Sequence, residues 1–158
     1  MRNDIQLREV QASDLDVFFQ QQADPLANQM AAFTRKDPRD RSAFDQHMER
    51  VLQDASIAVR TILLDGSIVG SILEYVDDGA PQVSYWIGRE HWGKGIATSA
   101  LALFLPLLTE RPVFARVAFD NVGSLRVLEK NGFAILERTQ FHANARGAEI
   151  EEIVLKLV

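Results

Sequence analysis

The sequence predicts an α+β fold: a three-layer sandwich on one mixed, mostly antiparallel sheet of about seven strands, with about four helices. Three observations predict it. Two strand-like runs, 57–64 and 67–75, are joined by Asp65-Gly66, a strong two-residue hairpin signal. A third run, 83–87, follows the turn-rich stretch Asp77-Asp78-Gly79-Ala80-Pro81, so three consecutive strands form an antiparallel meander. That third strand passes through a glycine turn into a helix, which leads on to a further strand at 113–119. A crossover is thereby added to the meander, and the sheet is mixed.

Each element has its own signal. Residues 5–10 read as the first strand. Ser13 is a good N-cap for the helix that follows, and Asp14 and Asp16 favour its positive end. Leu15, Phe18 and Phe19 give that helix an apolar face, and Asp24-Pro25 ends it. In 26–38, Met30, Ala31, Ala32 and Phe33 form one short apolar turn before a polar run. A second helix is predicted over 39–54, with Phe44, His47, Met48, Val51 and Leu52 on one face. In the third helix Ile96, Ala97, Ala100, Leu101, Leu103 and Phe104 recur at three- and four-residue spacing, and Pro106 breaks or kinks its end. A strand at 113–119 precedes a short helix at 124–131, which Gly132 ends as a left-handed residue. Two closing strands, 134–141 and 149–157, are joined through 144–147.

A length of 158 residues fits one domain, 1–158, large enough to bury a substantial core. The net charge of −5 argues against a sequence-independent nucleic-acid binder but would attract a basic substrate. With 0 cysteines there is no disulfide framework, thiolate metal site or cysteine nucleophile. The histidines His47, His91 and His142 lack helix-face ligand spacing, so no metal site is expected. The first residues lack the apolar core of a signal peptide, and the longest apolar stretch, 99–108, is far short of a bilayer span. The expectation is a cytoplasmic protein without membrane contact, monomeric or homodimeric.

The chemistry concentrates where the 83–87 strand meets the third helix. The joint is Trp92, Gly93, Lys94, Gly95, Ile96, Ala97 and Thr98. Glycines without a Cβ let the backbone turn tightly and approach a ligand. The first amides of a helix have no intrahelical partner and carry the positive end of the dipole. Together these make a seat for a phosphate group. It is not a Rossmann fingerprint, because Thr98 stands where the third glycine belongs. It is not a Walker loop, because Lys94 lies between the glycines.

The loop resembles the acyl-CoA pyrophosphate loop of the GNAT superfamily of N-acetyltransferases, written Q/R-x-x-G-x-G/A, with Trp92 in place of the usual Gln or Arg. Y-W-I-G at 85–88 followed by W-G-K-G-I-A-T at 92–98 reads like the branch of ribosomal-protein N-terminal (alanine/serine) acetyltransferases. The segment from Asp120 to Phe133 resembles the second signature of the family, N-x-x-S-x-x-V-L-x-K-x-G-F. The resemblance implies the GNAT element order, with strands four and five splayed and acyl-CoA lying between them. It also implies acetyl-CoA as acyl donor and an amine as acceptor, a protein N-terminus or a small molecule.

It implies roles residue by residue. The amides of Gly93 to Thr98 hold the diphosphate, with Lys94 either a solvated charge assisting them or a dedicated clamp. The backbone of Trp86, Ile87 and Gly88 pairs with the pantetheine arm, and one of these N–H groups faces the thioester carbonyl. Trp86's side chain is then core or substrate wall. Asn121 either hydrogen-bonds the pantetheine or caps the short helix. Ser124 stands where the branch has a serine near the leaving sulfur, or it satisfies local amides. Leu128 occupies the place of the tyrosine that many relatives use as the acid. Tyr75 and Tyr85 are expected elsewhere, with Tyr85 on the side of its strand opposite Ser84 and Trp86. No carboxylate begins the fourth strand; Glu74 acts as base through a water or is an exposed strand residue, and His142 is its rival. Met30 and Phe33 border the acceptor or belong to the core.

The reading is an acetyl-CoA-dependent N-acetyltransferase working by direct transfer. The alternatives are a catalytically silent acyl-CoA-binding module and a nucleotide-phosphate binder using the same loop.

Overall fold

A computed structural model describes residues 4–158. Its seven strands form one sheet in the order β1-β2-β3-β4-β5-β7-β6. Strands β1 (Ile5–Arg8), β2 (Ala58–Leu64), β3 (Ser67–Asp77) and β4 (Ala80–Ile87) run antiparallel in sequence. Strands β5 (Val113–Ala118), β6 (Ala134–Ala143) and β7 (Ala148–Leu157) complete the other half, with β7 between β5 and β6.

The two halves share one core but only one rung of ladder. β4 and β5 are parallel and pair through Gln82 and Phe114 alone. Beyond that point Val83 to Ile87 and Ala115 to Ala118 have no ladder between them, and the expected splay is present. A parallel pair that stops after one rung leaves backbone donors and acceptors facing a gap, which a ligand or water must satisfy.

Helices cover both faces. On one side α4 (Ile96–Phe104) and α5 (Val122–Lys130) pack on the main core, which contains Ile62, Ile72, Val83, Ile87, Phe104, Leu128, Ile153 and Leu155. On the other, α1 (Asp14–Ala23) and α3 (Arg41–Gln53) bury Phe18, Phe44 and Met48. His47 and Leu52, expected on the apolar face of α3, are exposed.

Five α-helices are present among the described residues, one more than the sequence pattern suggested. The addition is α2 (Pro25–Ala31). Asp24-Pro25 ends α1 as expected, but the same pair starts α2: Asp24 accepts from the Leu26 amide and Pro25 takes the first helical position. Proline is favoured there because its missing N–H would have had no partner anyway. At the β3–β4 turn, Asp78 and Gly79 both have positive φ. They make a two-residue hairpin, so β4 begins at Ala80 and not at Val83.

Ser13 does not cap α1 through its side chain. Asp14 does the local work instead and is fully buried. Its carboxylate accepts from both Arg8 Nη atoms (2.7 and 3.0 Å), from the Gln11 amide (2.9 Å) and from the Thr61 hydroxyl (2.7 Å). This ties α1 to β1 and β2. The Arg8 hydrogen bond outweighs burial and holds the Asp14 carboxyl down at about 2. A carboxylate depressed in the folded state stabilises the fold above its unfolded pKa and loses that contribution as pH falls toward the folded value. Asp14→Asn should therefore cost about 3 kcal/mol in urea unfolding at neutral pH, because it breaks a buried charge network. The variant should also lose less stability than the wild type between about pH 4 and pH 2. Equal acid sensitivity of the two proteins would show that Asp14 is not the group responsible.

Candidate active site

The gap between β4 and β5 opens into a cavity of about 610 Å³. β4 contributes Tyr85, Trp86 and Ile87; the glycine turn contributes Gly93 and Gly95; α4 contributes Ile96, Ala97 and Thr98; and α5 with its cap contributes Asn121, Ser124, Arg126 and Lys130. Most of the residues expected from sequence to hold a cofactor thus converge on one space.

The glycine turn is built as its sequence requires. Gly93 and Gly95 have φ of 75° and 76°, the left-handed region that favours glycine. A Cβ on either would meet nothing within 4 Å, so open space lies in front of both. The first bond of α4 runs from Ser99 N to Gly95 O. The amides of Gly95, Ile96, Ala97 and Thr98 therefore stand ahead of the ladder, available to an anion. Trp92, at the unusual first position of the loop, donates its indole N–H to the Ile87 carbonyl at 2.9 Å. It pins the turn back onto β4. Lys94 is exposed and does not line the cavity. The cations that do are Arg126 and Lys130, one helical turn apart on α5. Sequence reading gave them no role, although their i, i+4 spacing from Val122 marks one face.

On β4 the expected backbone trio divides by strand alternation. The Gly88 amide is spent within the sheet on Val69 O at 2.9 Å, and Gly88 does not line the cavity. Alternation turns the Trp86 amide toward β3 as well and leaves the Ile87 N–H facing the gap. Ile87 alone of the three can offer a backbone donor there. The Trp86 side chain lies on the opposite face, its indole donating to Gln21 O of α1 at 3.2 Å.

Asn121 fills its capping role: Oδ1 accepts from Ser124 N at 3.2 Å. The other half of the amide is left for the cavity. Asp120 also lines it, but both its oxygens are held by Arg146 (2.8 and 2.9 Å), which depresses its pKa and removes it as a free base.

The tyrosine expectation needs correction. Tyr85 does point away from Ser84 and Trp86, but that side of the sheet carries α5. Its hydroxyl lies 2.6 Å from Ser124 Oγ. Burial, opposed only by the Ser124 hydrogen bond, pushes the phenol up to about 12. Ser124 is therefore half of a hydroxyl pair. Leu128 is fully buried in the core and takes no part.

Neither candidate base is brought to the cavity. His142 is exposed in β6, opposite Glu149. Glu74 pairs with Ala58 and Val83 in the sheet and has one buried oxygen without a partner. Burial first and Glu110 second raise its pKa, with Arg111 opposing. A carboxyl whose folded pKa is raised favours folding on the acid side and loses that contribution once it ionises. Glu74→Gln should then lower kcat less than about tenfold, short of the usual loss of a general base. It should leave urea stability at pH 7 equal or higher. A hundredfold loss of kcat would restore Glu74 as the base.

Among the described residues no cluster of His, Cys, Asp or Glu is placed to hold a metal ion, and no helix is long and apolar enough to cross a membrane.

The family model described as "Acetyltransferase (GNAT) domain" matches residues 4–134. No curated protein matches the sequence. Among solved structures, the ribosomal-protein-alanine N-acetyltransferase from Brucella melitensis superimposes with a TM-score of 0.81 at 18% identity, covering 97% of this chain and 99% of that one. Mycobacterium smegmatis RimJ in complex with CoA-disulfide gives 0.78 at 22% identity, covering 97% and 81%. AAC(6')-Ib in complex with ribostamycin and coenzyme A gives 0.76 at 16% identity, covering 98% and 93%. At these identities the structural likeness is one of fold.

Proposed function

The chain belongs to the GNAT acetyltransferase family, and from that premise we propose that it transfers an acetyl group from acetyl-CoA directly to a primary amine in a ternary complex. The observation that carries the reading is the convergence of the left-handed glycine turn, the free amides of α4 and the Ile87 N–H on one cavity. RimJ and AAC(6')-Ib, which share the fold, are each complexed with a CoA species.

The amides from Gly95 to Thr98 take the diphosphate, and Arg126 and Lys130 supply its counter-charge. The arm runs along the gap, where Ile87 N–H serves as the donor for the thioester oxygen as charge develops on it. The amine nitrogen attacks the carbonyl carbon, the new C–N bond forms and the C–S bond breaks. The sulfur departs as thiolate and takes a proton, while the nitrogen loses one. Ser124 and Tyr85 stand at that end of the cavity as donors. With 0 cysteines in the chain, no thiol is present to carry the acetyl group between substrates.

The test is a screen of amines with acetyl-CoA, read by release of free thiol. Turnover with some amine is expected. Acetyl-CoA binding without turnover across the panel would leave a silent acyl-CoA-binding module, and preferential binding of ATP or NAD would overturn the loop assignment.

Asn121 offers a separate check, since Asp keeps the capping oxygen but lacks the amide donor. Asn121→Asp should retain the melting temperature and raise the acetyl-CoA KM about tenfold, the cost of one well-placed polar contact. An unchanged KM would reduce Asn121 to a helix cap.

A further inference from the structure

A second cavity, of about 240 Å³, lies across β4 from the first. Its walls include Ser71 and Ser84 from the sheet and Thr34, Arg35 and His47 from the helical side. Tyr85 and Trp86 line both cavities, so the two meet at β4. Resting on the transferase reading, this is the space from which an acceptor reaches the thioester.

Its charge is one-sided. No aspartate or glutamate lines it. Arg35 is half-buried and takes part in none of the ion pairs among the described residues. Its guanidinium lies 5.3 Å over the ring of Phe44, which is itself fully buried, a cation–π contact on the cavity side of the helices. Arg35 Nε and Thr34 Oγ1 are both buried without a hydrogen-bond partner. Burial pushes the Arg35 pKa down, with only the charge of Asp40 opposing. A guanidinium nitrogen and a hydroxyl withdrawn from water without partners cost free energy that hydrogen bonds to a bound anion would offset.

We infer that this cavity receives a carboxylate carried by the acceptor, and that the substrate is a small amino-acid-like amine, its carboxylate held by Arg35 and Thr34. The planar guanidinium suits a carboxylate through two parallel hydrogen bonds. The net charge of −5 works against an anion only at long range, because charges beyond about 8 Å are screened at physiological ionic strength.

The test compares amino acids with their own carboxamides as acceptors, by kcat/KM for thiol release. The amide lowers the pKa of the neighbouring amine, so intrinsic reactivity at neutral pH favours the amide and works against the expected result. The wild type should prefer the carboxylate at least about tenfold, the scale of one charged hydrogen bond. Arg35→Gln should reduce turnover of the acid more than that of the amide and erase the preference. Turnover without a carboxylate preference, or a preference for neutral peptides over free amino acids, overturns this inference and leaves the transferase reading standing. Absence of thiol release with every amine overturns both. The wild-type comparison decides the matter even if the Arg35 variant fails to fold.

Discussion

Gly95→Asp should weaken acetyl-CoA binding at least about a hundredfold. Two effects combine. Gly95 has φ 76° and ψ 10° as the residue before α4. A side chain there is strained by about 1–2 kcal/mol in the left-handed region. Its Cβ would enter the open space in front of the turn, where the diphosphate is proposed to lie. A carboxylate about 4 Å from a phosphate is repelled by about 4 kcal/mol at an effective dielectric of 20, more than the 2.7 kcal/mol that a hundredfold loss represents. Gly95→Asn separates the terms: it has nearly the same shape and tolerates the left-handed region, but carries no charge. Its loss should be several-fold smaller. Calorimetric titration of both variants, with melting temperatures alongside, gives the comparison. An Asp variant that stays folded and binds acetyl-CoA with native affinity would remove the diphosphate from this turn.

What the sequence revealed about this site follows the range of the interactions. The turn was legible because its information is local: two glycines, a helix start and a strand before them lie within a few residues. The meander was legible from Asp65-Gly66 for the same reason. Asp24-Pro25 was ambiguous because a pair that stops one helix is chemically suited to start the next, and only packing selects both. The role of Tyr85 was hidden at longer range. Its direction from β4 followed correctly from alternation, but which helix lies over that face depends on the whole crossover through α4 and β5. The two halves of the hydroxyl pair are 39 residues apart. Arg126 and Lys130 lay inside a recognised signature, yet their place on the cavity wall depends on how α5 is rotated. The partnerless state of Arg35 is a property of packing, and no spacing rule announces it.

Tyr85→Phe should lower kcat by about 10- to 100-fold while leaving the acetyl-CoA KM within a few-fold, the lower part of what hydroxyl proton donors contribute. The ring stays to fill its place against the core, so the substitution removes one oxygen and little packing. That oxygen lies 2.6 Å from Ser124 Oγ and also reaches the Ser124 carbonyl at 3.3 Å. A phenol pushed up to about 12 stays protonated through the neutral and mildly alkaline range. In the pair, one hydroxyl can donate to the departing sulfur while the other restores its proton. The second hydroxyl recovers its proton from the one that the attacking amine gives up, so no charge is left on the pair, and removing either breaks the relay. Ser124→Ala should therefore cost about as much as Tyr85→Phe, and the double variant little more than either alone, as expected of groups acting as one unit. The wild-type kcat should show no alkaline loss from Tyr85 below about pH 10, because its active form is the protonated one and its pKa lies higher. Fully additive losses in the double variant would mean that the two hydroxyls act separately. A tyrosine variant with native kcat, when pre-steady-state kinetics show chemistry to be limiting, would leave the 2.6 Å contact as a packing feature of β4 and α5.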